Sequence, residues 1–215
     1  MDNIKLIPLT YTMMKREDLQ HCALLAAEAF ADYEYFSLYI SNERRRKRFL
    51  NALIHCEFKA NWERNGCVFF IAKENEKTVA VAQLCSPEFV RPSDGDYLKA
   101  GWMKVWLGGG FKKVNAWSAM EELASAPCHD FEGKHWYLSL FTVKKEDEGK
   151  GIGSAFLKEC LIPFVKRANG EVLTLFTNSV ANCKFYEKNG FSLFDEKKFE
   201  YNGKTIGNWS YMMKL

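Results

Sequence analysis

The sequence predicts an α/β fold in which a central mixed β-sheet is flanked by helices. Three observations carry this. Two apolar segments, CVFFIAK (67–73) and TVAVAQLC (78–85), bracket the polar loop Glu74–Lys77 and read as a hairpin. A strand apolar on both faces, HWYLSLFTV (135–143), is followed by a helix, a second apolar strand at 171–177 and a short helix. That alternation builds parallel strands covered on both sides. Two further strands then meet at Asn202-Gly203, a strong two-residue hairpin signal.

The other elements follow in chain order. Residues 4–10, IKLIPLT, read as a short strand. Leu19, Cys22, Ala23, Ala26 and Phe30 recur at helical spacing, with Glu17 and Asp18 in the first turn. An aromatic segment, Asp32 to Phe36, leads to a second helix that starts at Ser41 as N-cap and is stopped by Asn65-Gly66. Pro87 and Pro92 break the sheet pattern, and 93–132, with helical stretches at 97–107 and 111–125, reads as an insertion. A helix is expected over 149–168, kinked or shortened by Pro163, and another over 180–188.

The chain has 215 residues, which fits one domain better than two. Hydrophobic residues at 47% and charged residues at 27% exclude disorder as the global state. A net charge of +3 is too small for a dedicated nucleic-acid binder. The basic run Arg44–Arg48 cannot share one helix face, so most of it reads as solvated. No run of about 18 apolar residues spans a membrane, and the N-terminus does not read as a secretory signal. Seven scattered cysteines without a C-x-x-C pair argue against a disulfide framework or a thiolate zinc site and place the chain in the cytoplasm. No metal site is expected. A homodimer is left open.

The chemistry concentrates in Glu148-Gly149-Lys150-Gly151-Ile152-Gly153-Ser154, which follows a buried strand and opens a helix. Glycines let backbone N–H groups approach a ligand, and the free N–H groups and dipole of the first helical turn favour an anion. The string lacks the Gly-Lys-Ser/Thr ending of a P-loop, and no ribose-binding acid follows it. Glu146, Asp147 and Glu148 beside such a cradle oppose anion binding unless they face solvent.

Two motifs resemble those of the GCN5-related N-acetyltransferase (GNAT) family. One is the phosphate motif at Glu148–Gly153, with Glu148 where the family usually has Gln or Arg. The other is Asn-x-x-Phe-Tyr-Glu-x-x-Gly-Phe at Asn182, Phe185, Tyr186, Glu187, Gly190 and Phe191. The second is most similar to the puromycin N-acetyltransferase-like branch, and the motif-bearing resemblance covers 135–215. The resemblance implies the GNAT acyl-CoA N-acyltransferase fold, acetyl-CoA as donor and a primary amine of a small molecule, or of a peptide, as acceptor. It implies that Phe141, Thr142 and Val143 pair with the pantetheine arm, with the Val143 N–H as oxyanion donor. Residues 148–154, with the Lys150 charge, would hold the pyrophosphate, and Asn182 would anchor the pantetheine.

The same resemblance makes Tyr186 the general acid, against its reading as an ordinary core tyrosine. It places Asp32, Tyr33, Glu34, Tyr35 and Phe36 around the acceptor, with packing of the helix corner as the alternative. Tyr137 and Ser139 occupy the strand positions where some members carry a base, and neither is a good base at neutral pH. Asp32, Glu34, His135 or a water chain remain alternatives. A catalytically idle CoA-binding or regulatory module is the rival reading of the whole chain.

Overall fold

The structure, a computed structural model, describes residues 8–131 and 133–215. Seven strands form one sheet in the order β1 (Leu9–Met13), β2 (Cys67–Glu74), β3 (Lys77–Cys85), β4 (His135–Val143), β5 (Val172–Thr177), β7 (Lys204–Lys214), β6 (Ser192–Tyr201). Every neighbouring pair is antiparallel except β4 and β5. The first strand lies later than the sequence suggested, and positions 4–7 of the expected strand fall outside the described residues.

The helices are α1 (Leu19–Ala29), α2 (Glu34–Tyr39), α3 (Glu43–Asn61), α4 (Asp94–Ala100), α5 (Trp102–Gly109) and α6 (Phe111–His129). They are followed by α7 (Ile152–Ala155), α8 (Ile162–Arg167) and α9 (Val180–Lys188). Helix α3 begins one residue later than expected: Asn42, not Ser41, is the N-cap, its side chain accepting from the Arg45 N–H. The β2–β3 connection is also tighter than the expected four-residue loop. Asn75 and Glu76 alone make the turn, both with positive φ, the conformation that matches strand twist in a two-residue hairpin.

Within the basic run, Arg46 is buried and structural. Its guanidinium donates to the carbonyls of Ala31, Ile40 and Ser41 and so fixes the corner where α1, α2 and α3 meet. Pro163 does not end its helix. A wide-turn π segment, Phe156–Leu161, joins α7 to α8 and places Pro163 in the first turn of α8, where a missing N–H costs little.

Two apolar layers cover the sheet. On one face Phe49, Leu50, Leu53, Ile71 and Val81 pack with α1, α2, α3 and α6; on the other, Leu84, Phe156, Leu157, Leu161 and Leu173 pack with the α7–α8 helix and α9. Strand β4 passes between them with a fault that shapes the site. Gln83 of β3 opposes Leu140, but Leu84 opposes Leu138, so Ser139 is the extra residue of a β-bulge. A one-residue slip inverts the side-chain alternation. Accordingly Leu138 joins the α7–α9 layer, Leu140 the α1–α3 layer, and Phe141 returns to the α7–α9 layer.

Candidate active site

Strands β4 and β5 pair only at their starts, from His135–Val172 to Tyr137–Thr174. Beyond Tyr137 they separate. The Lys144 N–H donates to the Val79 carbonyl, so by strand alternation the N–H groups of Phe141 and Val143 point away from β3, toward the edge that β5 has left. Thr142, also expected to hold a ligand, turns its own backbone groups to β3 instead. The Phe141 ring stacks on Phe185 and packs on Phe156, which ties the free strand edge to α9 and the helix behind it.

At the end of β4 the chain turns through Lys145–Asp147 and reaches the glycines. Gly149 and Gly151 have φ of +77° and +85°, and a Cβ on either would meet nothing within 4 Å. They are glycine because of backbone conformation, and the space above them is open. Gly151 is the N-cap of the helix that follows, so the N–H groups of Ile152, Gly153 and Ser154 have no carbonyl one turn back. These free donors, the helix dipole and the open space fit a phosphate group.

The acidic residues of this loop are largely self-neutralised. Glu146 pairs with Lys144, and Asp147 accepts from Lys150 at 2.6 Å. The expected charge of Lys150 is therefore partly spent inside the loop, and Glu148 points to solvent. Repulsion of a bound anion is correspondingly small, since an exposed carboxylate is screened by water and salt.

A cavity of about 730 Å³ opens from the strand split. It touches Phe141, Thr177, Asn182 and Tyr186 on one side and Tyr33, Tyr35, Phe36, Tyr137 and Ser139 on the other. Most of the residues expected around the acceptor and Tyr186 therefore share one space. The Tyr33 hydroxyl bonds Thr177 Oγ1 at 2.9 Å and accepts from the Asn178 N–H, while Asn182 donates to the same Thr177 oxygen at 3.2 Å. Tyr186 is buried against Phe185, Phe191 and Tyr211, and among the described residues its hydroxyl has no hydrogen-bond partner. Burial raises its pKa, so the phenol keeps its proton at neutral pH.

Three residues expected near the acceptor or as a base lie elsewhere. Asp32 is exposed, pairs with Lys145 and lines a separate groove with Glu43 and Lys47. Glu34 is exposed because α2 starts there, and that helix turns Tyr35, Phe36 and Tyr39 inward instead. His135 is not among the cavity residues. Trp102, Trp106 and Trp117 of the inserted segment also line the cavity, and Trp117 packs on Phe36 and Phe49.

The cavity has carboxylates that were not anticipated. Glu57 accepts from the Tyr97 hydroxyl at 3.1 Å and from Asn61 at 3.2 Å; Glu121 accepts from the Tyr35 hydroxyl. Burial, reinforced by Glu121, raises the Glu57 pKa to about 7, and burial raises that of Glu121 as well. The helical spacing was the available signal. Glu57 follows Leu53 and Ile54 by four and three residues, and Glu121 follows Trp117 by four, so both fall on inward faces.

The Glu57 shift has a stability consequence. Its folded pKa lies above the ordinary carboxylate value, so the folded state binds the extra proton between about pH 4.5 and 7 and loses stability as pH rises through that window. Glu57→Gln, which mimics the protonated form, is expected to raise the unfolding temperature at pH 8 and to leave it nearly unchanged at pH 4. Thermal melts at the two pH values check this.

Residues 115–193 match the family model of the Acetyltransferase (GNAT) domain, which spans α6, the bulged strand, the glycine cradle, β5 and α9. The seven-stranded mixed sheet and its flanking helices match the fold of solved GNAT acetyltransferase structures. A structure from Corynebacterium glutamicum described as histone acetyltransferase HPA2 and related acetyltransferase is 18% identical with TM-score 0.65, covering 96% of this chain and 97% of its own. The ribosomal-protein-S18-alanine N-acetyltransferase of Escherichia coli is 14% identical with TM-score 0.57, at 97% and 94% coverage. The C-terminal condensation domain of Ebony, in complex with beta-alanyl-dopamine, is 8% identical with TM-score 0.69, at 98% and 100% coverage. At these identities the likeness establishes the fold. No curated protein matches the chain. Among the described residues no helix is long and apolar enough to cross a membrane, and no cluster of His, Cys, Asp or Glu could hold a metal ion.

Proposed function

We propose that the chain is an acetyl-CoA-dependent N-acetyltransferase that moves an acetyl group directly to a primary amine of a small molecule. One observation carries the reading: a free strand edge leads from an open glycine cradle into a cavity where Tyr186 presents an unpartnered phenol. When bound, acetyl-CoA supplies an acetyl group activated as a thioester. The N–H groups of Gly149 to Ser154 hold its pyrophosphate, and Phe141, Val143 and Asn182 hold the pantetheine arm. The Val143 N–H donates to the acyl oxygen as charge develops there, the role that preorganised backbone donors fill best. Tyr186 gives a proton to the leaving sulfur.

In this reading the chain acts as a single cytoplasmic domain, with 93–132 inserted to complete the acceptor side. The spelling of Asn182 to Phe191 supports kinship with the puromycin N-acetyltransferase-like branch. Thiol release from acetyl-CoA, followed with a panel of amines and with mass detection of the product, tests the proposal. Amine-dependent thiol release with an acetylated product is expected. Acetyl-CoA binding without release for any amine would leave the idle CoA-binding module as the better account.

A further inference from the structure

Four carboxylates line the chamber between α3, α4 and α6: Asp94 and Glu122 are exposed, while Glu57 and Glu121 are half-buried, and acetyl transfer gives these two no task. Both line the cavity, and burial raises the pKa of each. Carboxylates in such places are ordinarily paired with Arg or Lys. Here no ion pair joins either of them to a cation among the described residues. The cationic side chain of the lining, Arg91, is exposed and too distant for an ion pair, though its charge is felt by both. A second observation is independent of the acids. Tyr137, more than nine-tenths buried, lines the same chamber and has no hydrogen-bond partner among the described residues. Four rings also line it, Tyr97, Trp102, Trp106 and Trp117.

We propose that this chamber is the acceptor site and that it selects an aromatic primary amine, bound as its ammonium ion, with Glu57 and Glu121 as the anionic floor. The proposal rests on the acetyltransferase reading above. A bound ammonium supplies the positive charge that the two acids lack, and the rings offer both cation–π faces and an apolar surface for the rest of the ligand. A carboxylate on the acceptor would bring a third acid to a pair already short of positive charge and be rejected.

The same pair accounts for the missing base. The ammonium gives one proton to the carboxylates, which pass it to solvent. The freed nitrogen forms the C–N bond to the acyl carbon as the C–S bond breaks. Its second proton passes through water in the cavity to the Tyr186 phenolate and so replaces the proton that Tyr186 gives to the sulfur. The titratable groups around the pair are the Tyr35, Tyr97 and Tyr137 phenols, His129, the Cys56, Cys67, Cys85 and Cys128 thiols, the Asp94 and Glu122 carboxylates and Arg91. Burial holds the His129 pKa down to about 4, so this imidazole is neutral at working pH and does not replace the ammonium as counter-ion.

The test uses the full chain saturated with CoA. Calorimetry is run with phenethylamine, with phenylethanol (no ammonium), L-phenylalanine (an added carboxylate) and putrescine (no ring). Acetyl transfer to the three amines is measured in parallel. Phenethylamine is expected to bind best and to be acetylated. Glu57→Gln and Glu121→Gln are each expected to weaken its binding about 10- to 100-fold while leaving CoA affinity within about twofold. The melts described above report that the Glu57 variant is folded. Phenylethanol, phenylalanine or putrescine binding as tightly as phenethylamine overturns the ligand class. Acetyl transfer to phenethylamine that survives both substitutions overturns the role of the acids and leaves the acetyltransferase reading standing. Acetyl-CoA left unconsumed with every amine overturns both.

Discussion

Gly151→Glu abolishes acetyl-CoA binding in a chain that still folds: this is the largest effect expected of any single substitution. Gly151 is the N-cap of the cradle helix, its φ is +85°, and the volume a Cβ would enter is empty. A glutamate there adds a carboxylate where the first-turn N–H groups converge, and it displaces or repels the phosphate they would bind. Charge-assisted hydrogen bonds are worth about 1.5–3 kcal/mol each. Loss of two corresponds to roughly a 100-fold or greater rise in the dissociation constant. Backbone strain is a separate cost of about 1–2 kcal/mol at positive φ and falls on stability. Gly203→Glu separates the two effects. Gly203 sits in the β6–β7 turn at φ +74° with open space around it. That variant pays the strain and is expected to bind acetyl-CoA like wild type. Calorimetry on both variants, with melts to show folding, checks the pair of outcomes. Unchanged affinity in Gly151→Glu would remove the phosphate from this loop.

The cradle was legible because its physics is local. A buried strand, alternating glycines and a helix start specify free N–H groups wherever the chain lies in space. The Asn202-Gly203 turn was legible for the same reason, and both residues adopt the positive φ that such a turn needs. The bulge at Ser139 was not. HWYLSLFTV is apolar on both faces, so a slip of register leaves no mark in its pattern, although it decides which layer Leu138 and Leu140 join. The acceptor residues were legible only in part. Tyr33, Tyr35 and Phe36 face the cavity, but Asp32 and Glu34 fall on the outer side of a helix start that the aromatic run concealed. Glu57 and Glu121 escaped because an acid in a charged helix is usually on the solvated face. The neighbours that reverse this inference here, Tyr97 for Glu57 and Tyr35 for Glu121, come from other helices. Their meeting is a tertiary fact that no window of sequence contains.

Tyr186→Phe is expected to lower turnover about 10- to 1,000-fold with little change in acetyl-CoA affinity, the range typical for removing a positioned acid. Three tyrosines near the strand split could be considered for this role. Tyr33 is committed, since its hydroxyl is bonded to Thr177 and to the Asn178 N–H. Tyr137 is unpartnered but stands on β4 before the bulge, packed against His129 on the α6 side. Tyr186 alone joins an unpartnered phenol to α9, the helix that also carries Asn182 and packs on Phe141 at the free strand edge. The substitution removes one oxygen and keeps the ring that packs on Phe191 and Tyr211, so stability should move little. A fall in turnover at constant cofactor affinity marks a group that acts in the transition state rather than in ground-state binding. Steady-state kinetics with a good acceptor, set beside calorimetry for acetyl-CoA, measures both quantities. If Tyr186→Phe stays within about twofold of wild type while Tyr137→Phe falls, the proton comes from the acceptor side of the split, and Tyr186 is a packing residue.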